Sequence, residues 1–265
     1  MPTPLDHQAD ISKQRLENLS VNKNIILYSF PKSGRTWLRY LFASVFDEHL
    51  AAEHQIGKNW NGELILILFR DIRDTLVSYF YEVTLRPSKF GDIGSDKIAL
   101  KDKWASSDQT LAAFIRIGTV EAILDFYLKA LEFPSRQLSV SYEHMRADTF
   151  GWLSDFVISI NQAFPNQNAT KEKMLRAVES CSFENMRRIE KSGLGLRGSQ
   201  KDGTWLPNLT PGTPKDTNSF KTRKGVVGGY SSDLSLENEA YIRNLANNHP
   251  VTAKLRRLIF AADYF

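Results

Sequence analysis

The stretch Ile25-Ile26-Leu27-Tyr28-Ser29-Phe30-Pro31-Lys32-Ser33-Gly34-Arg35-Thr36-Trp37 decides the fold. Its first six residues form a short, mainly apolar run closed by a proline, which reads as a buried strand. Beyond it, Leu38, Leu41, Phe42 and Val45 fall at i, i+3, i+4 and i+7. That spacing predicts a helix from about Arg35 to Leu50 with one face on a sheet. A strand that passes through Lys32-Ser33-Gly34 into a helix gathers backbone N–H groups, a lysine and two hydroxyls around one point. Helix N-terminal amides and their dipole bind anions, and Gly34 lets the backbone approach closely. The usual nucleotide-triphosphate loop, Gly-x-x-x-x-Gly-Lys-Ser/Thr, has another order, because Lys32 precedes the only glycine here. The plain alternative is an ordinary strand-to-helix turn with a solvated lysine.

Further along, Leu64-Ile65-Leu66-Ile67-Leu68-Phe69 is apolar without alternation, as expected of a strand covered on both faces in a parallel sheet, and it ends at Arg70. Helical character returns from Asp74 to Glu82, with acidic residues near the start where the helix dipole favours them. A long amphipathic stretch from about Thr110 to Phe133 leads through Pro134 to an alternating strand, Leu138 to Tyr142. Helices are expected at about Thr149 to Phe164 and Lys171 to Glu179, and again between Ser235 and Phe260. Residues 191–229 are rich in Gly, Ser, Thr, Pro and Lys and read as a long loop or lid, and residues 1–24 as a polar N-terminal extension. Strands and helices alternating in this order imply one three-layer α/β/α domain over residues 1–265, with a central parallel sheet and a ligand crevice at the carboxyl ends of its strands.

Composition narrows the partners. Among 265 residues, 34 basic and 30 acidic ones leave a formal charge of +4. Lys and Arg are interleaved with Asp and Glu along the chain, unlike the one-sided excess of a nucleic-acid binder, so a small polyanion is the expected ligand. The single cysteine, Cys181, excludes a disulfide framework and a multi-cysteine metal site, and fits a reducing compartment. No apolar run approaches the roughly 18 residues of a membrane span, and the start of the chain is polar, unlike a secretory signal. The reading is cytoplasmic, with no metal.

Four more segments carry residues suited to an anionic ligand. Arg70 at a strand end can pair its planar guanidinium with a phosphate, and Ser78 follows on the next helix. Val140-Ser141-Tyr142-Glu143-His144-Met145 closes a strand with a tyrosine, and Cys181-Ser182-Phe183-Glu184-Asn185-Met186 offers an aromatic ring. Thr222-Arg223-Lys224-Gly225-Val226-Val227-Gly228-Gly229 sets two cations beside a glycine that could fold over a second phosphate. Each alone is more often a salt-bridge partner, a core ring or a solvated loop.

In this order the five segments resemble the cytosolic sulfotransferase family, whose phosphosulfate loop reads approximately Tyr-Pro-Lys-Ser-Gly-Thr-Thr-Trp. The resemblance implies a P-loop-like fold and sulfuryl transfer from 3′-phosphoadenosine 5′-phosphosulfate (PAPS) to a hydroxyl or amine, leaving 3′-phosphoadenosine 5′-phosphate (PAP). It implies that Lys32, Ser33, Gly34, Arg35 and Thr36 hold the 5′-phosphosulfate and that Trp37 and Phe183 sandwich the adenine. It further implies that Tyr142 and Ser182 lie beside the nucleotide and that Arg70, Ser78, Arg223, Lys224 and Gly225 take the 3′-phosphate.

For the chemistry, Lys32 is the natural stabiliser of charge on the leaving phosphate, and a histidine is the base best matched to neutral pH. The family takes its base from a Lys-Thr-His segment between the phosphosulfate loop and the arginine strand. Here that interval holds His49 and His54 in Asp47-Glu48-His49-Leu50-Ala51-Ala52-Glu53-His54, without the Lys-Thr pair. His54, nearer the following strand, is preferred, with His49, Glu53 and Glu48 as alternatives. The interval is shorter than in animal members of the family, so the acceptor stays open among small molecules, lipids and carbohydrates. Phe80, Tyr81, Phe114 and the Gly193 to Pro214 loop are the expected pocket or lid elements. The competing classes are a P-loop kinase and a non-catalytic nucleotide-binding module.

Overall fold

The computed structural model describes residues 16, 18–54, 63–85, 97–165, 169–193, 195, 200–201, 204–205, 207, 209 and 216–258. Strand β1 (Ser20–Ser29) is followed by helix α1 (Arg35–Phe46) and strand β2 (Glu48–Glu53). Strand β3 (Leu64–Phe69) leads into α2 (Ile72–Leu85), and α3 (Lys97–Ala105) precedes the stretch Leu111–Glu132. That stretch is two α-helical pieces, α4 (Leu111–Phe114) and α5 (Val120–Glu132), joined by a π-helical turn in which Gly118 has φ 106°. Strand β4 (Gln137–Ser141) then opens α6 (Tyr142–Ala147), α7 (Thr149–Ala163), α8 (Lys171–Ser180) and α9 (Phe183–Ser192). Two short antiparallel strands, Gln200–Lys201 and Thr204–Trp205, and helices α10 (Leu236–Asn248) and α11 (Pro250–Leu258) complete the described elements.

The main sheet runs β2-β1-β3-β4, and every pairing in it is parallel. The period-2 geometry of a strand divides the core in two. Ile25 and Leu27 of β1 and Leu64, Leu66 and Leu68 of β3 face one layer with α1 and α7, while Ile26, Tyr28, Ile65 and Ile67 face the other with α2, α5, α10 and α11. Every residue of β3 is buried, which is why its sequence shows no alternation. The expected three layers around a parallel sheet are present.

Three boundaries differ from the sequence reading. The first strand begins at Ser20, inside the stretch read as a polar extension, because Asn22 bulges the strand: its Oδ1 accepts the N–H groups of Asn24 and Ile25, and its Nδ2 donates to Glu48 Oε2. The first helix stops at Phe46 rather than about Leu50. Asp47 adopts the left-handed conformation (φ 56°), its N–H closes on Ala43 O, and its carboxylate takes Lys173 Nζ at 2.7 Å. The chain restarts at once as the edge strand β2, which carries His49 and ends one residue before His54. Tyr142, read as strand, begins α6, and α3 and α9 are helices that the pattern of apolar residues did not announce. Most of the expected Gly193 to Pro214 loop lies outside the described residues.

Leu66, fully buried at the centre of β3, tests this layering. Leu66→Ala should lower the unfolding free energy by about 3 kcal/mol in urea titrations, the usual cost of a large-to-small change in a core.

Candidate active site

The loop from Phe30 to Arg35 departs from ordinary backbone twice. Lys32 has φ 69° and Gly34 φ 99°, both left-handed. A side chain at Gly34 is excluded doubly, since a Cβ there would lie 2.5 Å from Tyr142 Cδ2. Lys32 carries the strain without being glycine, and its neighbours hold it: Arg70 Nη1 donates to Lys32 O at 2.9 Å. The Tyr127 hydroxyl takes the Arg70 N–H and bonds back to Arg70 O, both at 3.3 Å, and lies 3.4 Å from Ser33 Oγ. Burial pushes that phenol up to about 12, so it stays a neutral donor. Gly34 is the N-cap of α1, and among the described residues no side chain caps the helix, leaving its first-turn amides to another acceptor.

Thirteen of the fifteen residues singled out in the sequence line one cleft of about 550 Å³ at the carboxyl ends of β1, β2 and β3. The two exceptions are serines. Ser33 is fully buried with its hydroxyl toward Tyr127, and Ser182 is the N-cap of α9, its Oγ accepting Asn185 N–H at 3.3 Å. Both shape the site from behind. Among the described residues, eight Lys and Arg side chains line the cleft against the carboxylates of Glu53, Asp74 and Glu82, an excess of five positive charges in a molecule whose formal charge is +4. The protein's mild basicity is thus concentrated where a polyanion would bind.

One end of the cleft is aromatic. Trp37 is fixed by its Nε1–H to Cys181 O at 2.8 Å and meets Tyr142 edge-on with ring centroids 5.8 Å apart. Phe183 lies against Gly225, where a Cβ would come within 2.2 Å of the ring, and Gly225 has φ 66°. Arg146, which the sequence reading passed over, lies 5.6 Å from the Trp37 ring centroid and 6.0 Å from that of Phe183. The other end is cationic. Arg70 stacks on Tyr142 at 4.3 Å and Arg223 on Tyr81 at 4.6 Å, and Ser78 lines the wall beside them. Arg70 Nε and Arg223 Nε and Nη1 are buried with no hydrogen-bond acceptor among the described residues. Asp233 Oδ2 stands 3.9 Å from Arg223 Nη1, too far for a hydrogen bond. Burial holds the Arg223 guanidinium below its ordinary range. Buried donors of this kind are rare and call for an acceptor that the described residues do not supply.

Two buried carboxylates pin the segment that carries Arg223. Glu190 accepts the N–H groups of Lys221 (2.6 Å) and Thr222 (3.0 Å), and Asp74 those of Gly228 and Tyr230, both at 2.9 Å. Burial raises the Asp74 carboxyl above its usual range. Lys224 turns its ammonium to Asp233 Oδ2 at 2.7 Å, so of the Arg223-Lys224 pair the arginine is the one with free donors. Glu143 ties β3 to β4 by accepting the Asp71 N–H at 2.8 Å, and its carboxyl too is raised by burial.

The candidate bases separate cleanly because β2 is a strand. His49 is fully buried and hydrogen-bonds Leu16 O through Nε2 at 2.6 Å, and Glu48 Oε2 is taken by Asn22. Neither lines the cleft. Glu53 and His54, at the strand's carboxyl end, both do. His54 Nδ1 lies 2.7 Å from Ser29 O. A carbonyl only accepts, so Nδ1 carries the proton and, in the neutral ring, Nε2 carries the lone pair. Of the expected pocket aromatics, Phe114 is fully buried in the core with Trp104 and Phe80, and Tyr81 bonds Asp233 at 2.9 Å. Glu82 and Lys221 are cleft residues that sequence reading missed. The signal was there for Glu82, four residues after Ser78 and therefore on the same helix face.

The fold and site together define an α/β protein with a cationic cleft at a strand-to-helix loop. A family model described as "Sulfotransferase domain" matches residues 60–249. The chain belongs to the sulfotransferase family. Cytosolic sulfotransferase 3 of Arabidopsis thaliana is 22% identical over 232 residues, covering 71% of this chain and 72% of the relative. Cytosolic sulfotransferase 17 of the same plant is 24% identical over 185 residues, covering 70% and 49%. Among solved structures, mouse sulfotransferase SULT7A1 complexed with PAP superposes with a TM-score of 0.60 at 18% identity, over 93% of this chain and 91% of that one. Among the described residues there is no helix long and apolar enough to cross a membrane and no cluster of groups that could hold a metal ion.

Gly34→Ala should leave a folded protein whose affinity for anionic nucleotides falls at least about tenfold in calorimetric titration, because the methyl group displaces Tyr142 and strains a left-handed turn.

Proposed function

We propose that the protein transfers a sulfuryl group from PAPS to a hydroxyl or amine of a small-molecule, lipid or carbohydrate acceptor, releasing PAP. One observation carries the donor reading above the others: among the described residues the buried guanidinium donors of Arg70 and Arg223 have no hydrogen-bond acceptor and no side chain caps the helix N-terminus at the loop end of the cleft. An adenine nucleotide with phosphates at both its 3′ and 5′ positions satisfies both ends and leaves its base for the aromatic slot.

In this reading the 5′ end lies on the amides of Gly34, Arg35 and Thr36, and Lys32 supplies the mobile cation. Arg70, Ser78 and Arg223 take the 3′-phosphate, with Lys224 and Gly225 shaping the segment around it, and Trp37, Phe183 and Tyr142 flank the base. The donor supplies an activated sulfuryl group, and the protein contributes placement and electrostatics. His54 Nε2 accepts the proton of the attacking acceptor, while the Ser29 carbonyl on Nδ1 fixes the tautomer and steadies the imidazolium that forms. Lys32 stabilises the negative charge left on the departing phosphate.

Two measurements check this. PAP without metal should raise the melting temperature by several degrees, and ATP with Mg²⁺ much less; the reverse ranking overturns the donor assignment. His54→Ala should cut turnover by about 10²- to 10⁴-fold in a mass-spectrometric sulfation assay, with PAP affinity within about threefold of wild type. Near-normal turnover would move the base to Glu53.

A further inference from the structure

Glu82 is the one buried carboxylate of the cleft that faces the loop lysine. Its side chain is 6% exposed, and it holds two ammonium groups at once: Oε2 is 3.0 Å from Lys32 Nζ and Oε1 is 2.6 Å from Lys221 Nζ. A carboxylate is an unexpected neighbour for a site that is to take a polyanion, since it repels the ligand and occupies the cation the ligand needs. A buried carboxylate is also costly once its partner is withdrawn. The second lysine resolves the conflict. Lys221 is carried on backbone that Glu190 fixes through the N–H groups of Lys221 and Thr222. If Lys32 turns away toward an anion, Glu82 keeps Lys221 beside it.

We infer that Glu82 is a positioning residue, resting on the donor reading above: it parks the Lys32 ammonium until the nucleotide binds and releases it to the 5′-phosphosulfate end, with Lys221 keeping the carboxylate. Lys221 acts through Glu82 and does not itself touch the nucleotide. The pair makes nucleotide binding weaker than the cleft's excess of positive charge would otherwise allow, and makes it depend on Lys221 only while Glu82 is charged.

The experiment is a double-mutant cycle on PAP affinity, by calorimetry on the full chain, with Glu82→Gln, Lys221→Met and the double variant. Glu82→Gln should bind PAP about tenfold tighter than wild type, because Lys32 no longer has to leave an ion pair. Lys221→Met should bind about tenfold weaker, because Glu82, having lost one of its two ammonium groups, then holds Lys32 more tightly. In the double variant the Lys221 effect should vanish, leaving the affinity of Glu82→Gln. In steady state, the donor KM of Glu82→Gln should fall with no matching rise in kcat, a split that a merely structural residue would not give. Unchanged or weaker PAP binding in Glu82→Gln overturns the inference, as does a Lys221 effect that persists in the double variant, which would mean direct contact with the nucleotide. Glu82→Ala, which also removes the charge, repeats the comparison should the glutamine variant fail to fold. Wild-type protein that binds no PAP defeats the donor reading instead, so the two failures are distinguishable.

Discussion

The hydrogen bond from Arg70 Nη1 to the carbonyl of Lys32, 2.9 Å long, is the constraint on which the site is built. It joins the loop after β1 to the end of β3, the two central strands, and it orients both cations at once. Lys32 sits at positive φ without being glycine, a conformation that costs about 1–2 kcal/mol and persists only where neighbours enforce it. Arg70 enforces it from the front and the Tyr127 hydroxyl from behind. Because Nη1 is spent on the loop and the ring of Tyr142 covers one face, Arg70 keeps its Nε for a ligand. A structural bond thus leaves a binding group pointing one way.

The same economy appears across the cleft, where carboxylates rather than apolar contacts hold the cationic segments. Glu190 and Asp74 grip the two ends of the Lys221–Tyr230 stretch by its backbone N–H groups, and Asp233 draws Lys224 aside. Arg223 is left between them with unmatched donors. A loop of glycines and lysines has little apolar surface with which to order itself, so buried acceptors must do the ordering. The raised carboxyl of Asp74 reflects the burial this requires.

Much of this was legible in the sequence, and the reasons are specific. Burial between two helical layers makes β3 and the second half of β1 mainly apolar, so both strands, the loop and the helices after them could be read directly. The elements that escaped are those whose signal is short or polar. Asp47 ends α1 by backbone conformation alone, and β2, an edge strand with Glu48, His49, Glu53 and His54 among its residues or at its end, has no apolar run to advertise it. That one boundary separates the two candidate histidines, since His49 is buried within the strand and His54, just past its end, lines the cleft. The hydroxyls of Ser33 and Ser182 could not be aimed from sequence, and both turned inward. Arg146 and Lys221 each look like solvated cations until distant elements fold over them, and Glu82 like a charge on a helix surface.

The central claim is that the cleft is made for a nucleotide bearing phosphate at both its 3′ and 5′ positions. Its most direct test is calorimetric titration of PAP against adenosine 5′-phosphate, which lacks the 3′-phosphate, in wild type and in Arg223→Ala. The account predicts at least about a hundredfold preference for PAP, since a phosphate on two buried guanidinium groups contributes roughly 3 kcal/mol or more, and a preference that largely collapses when Arg223 is removed. Equal affinity for the two nucleotides in the wild-type protein would contradict it.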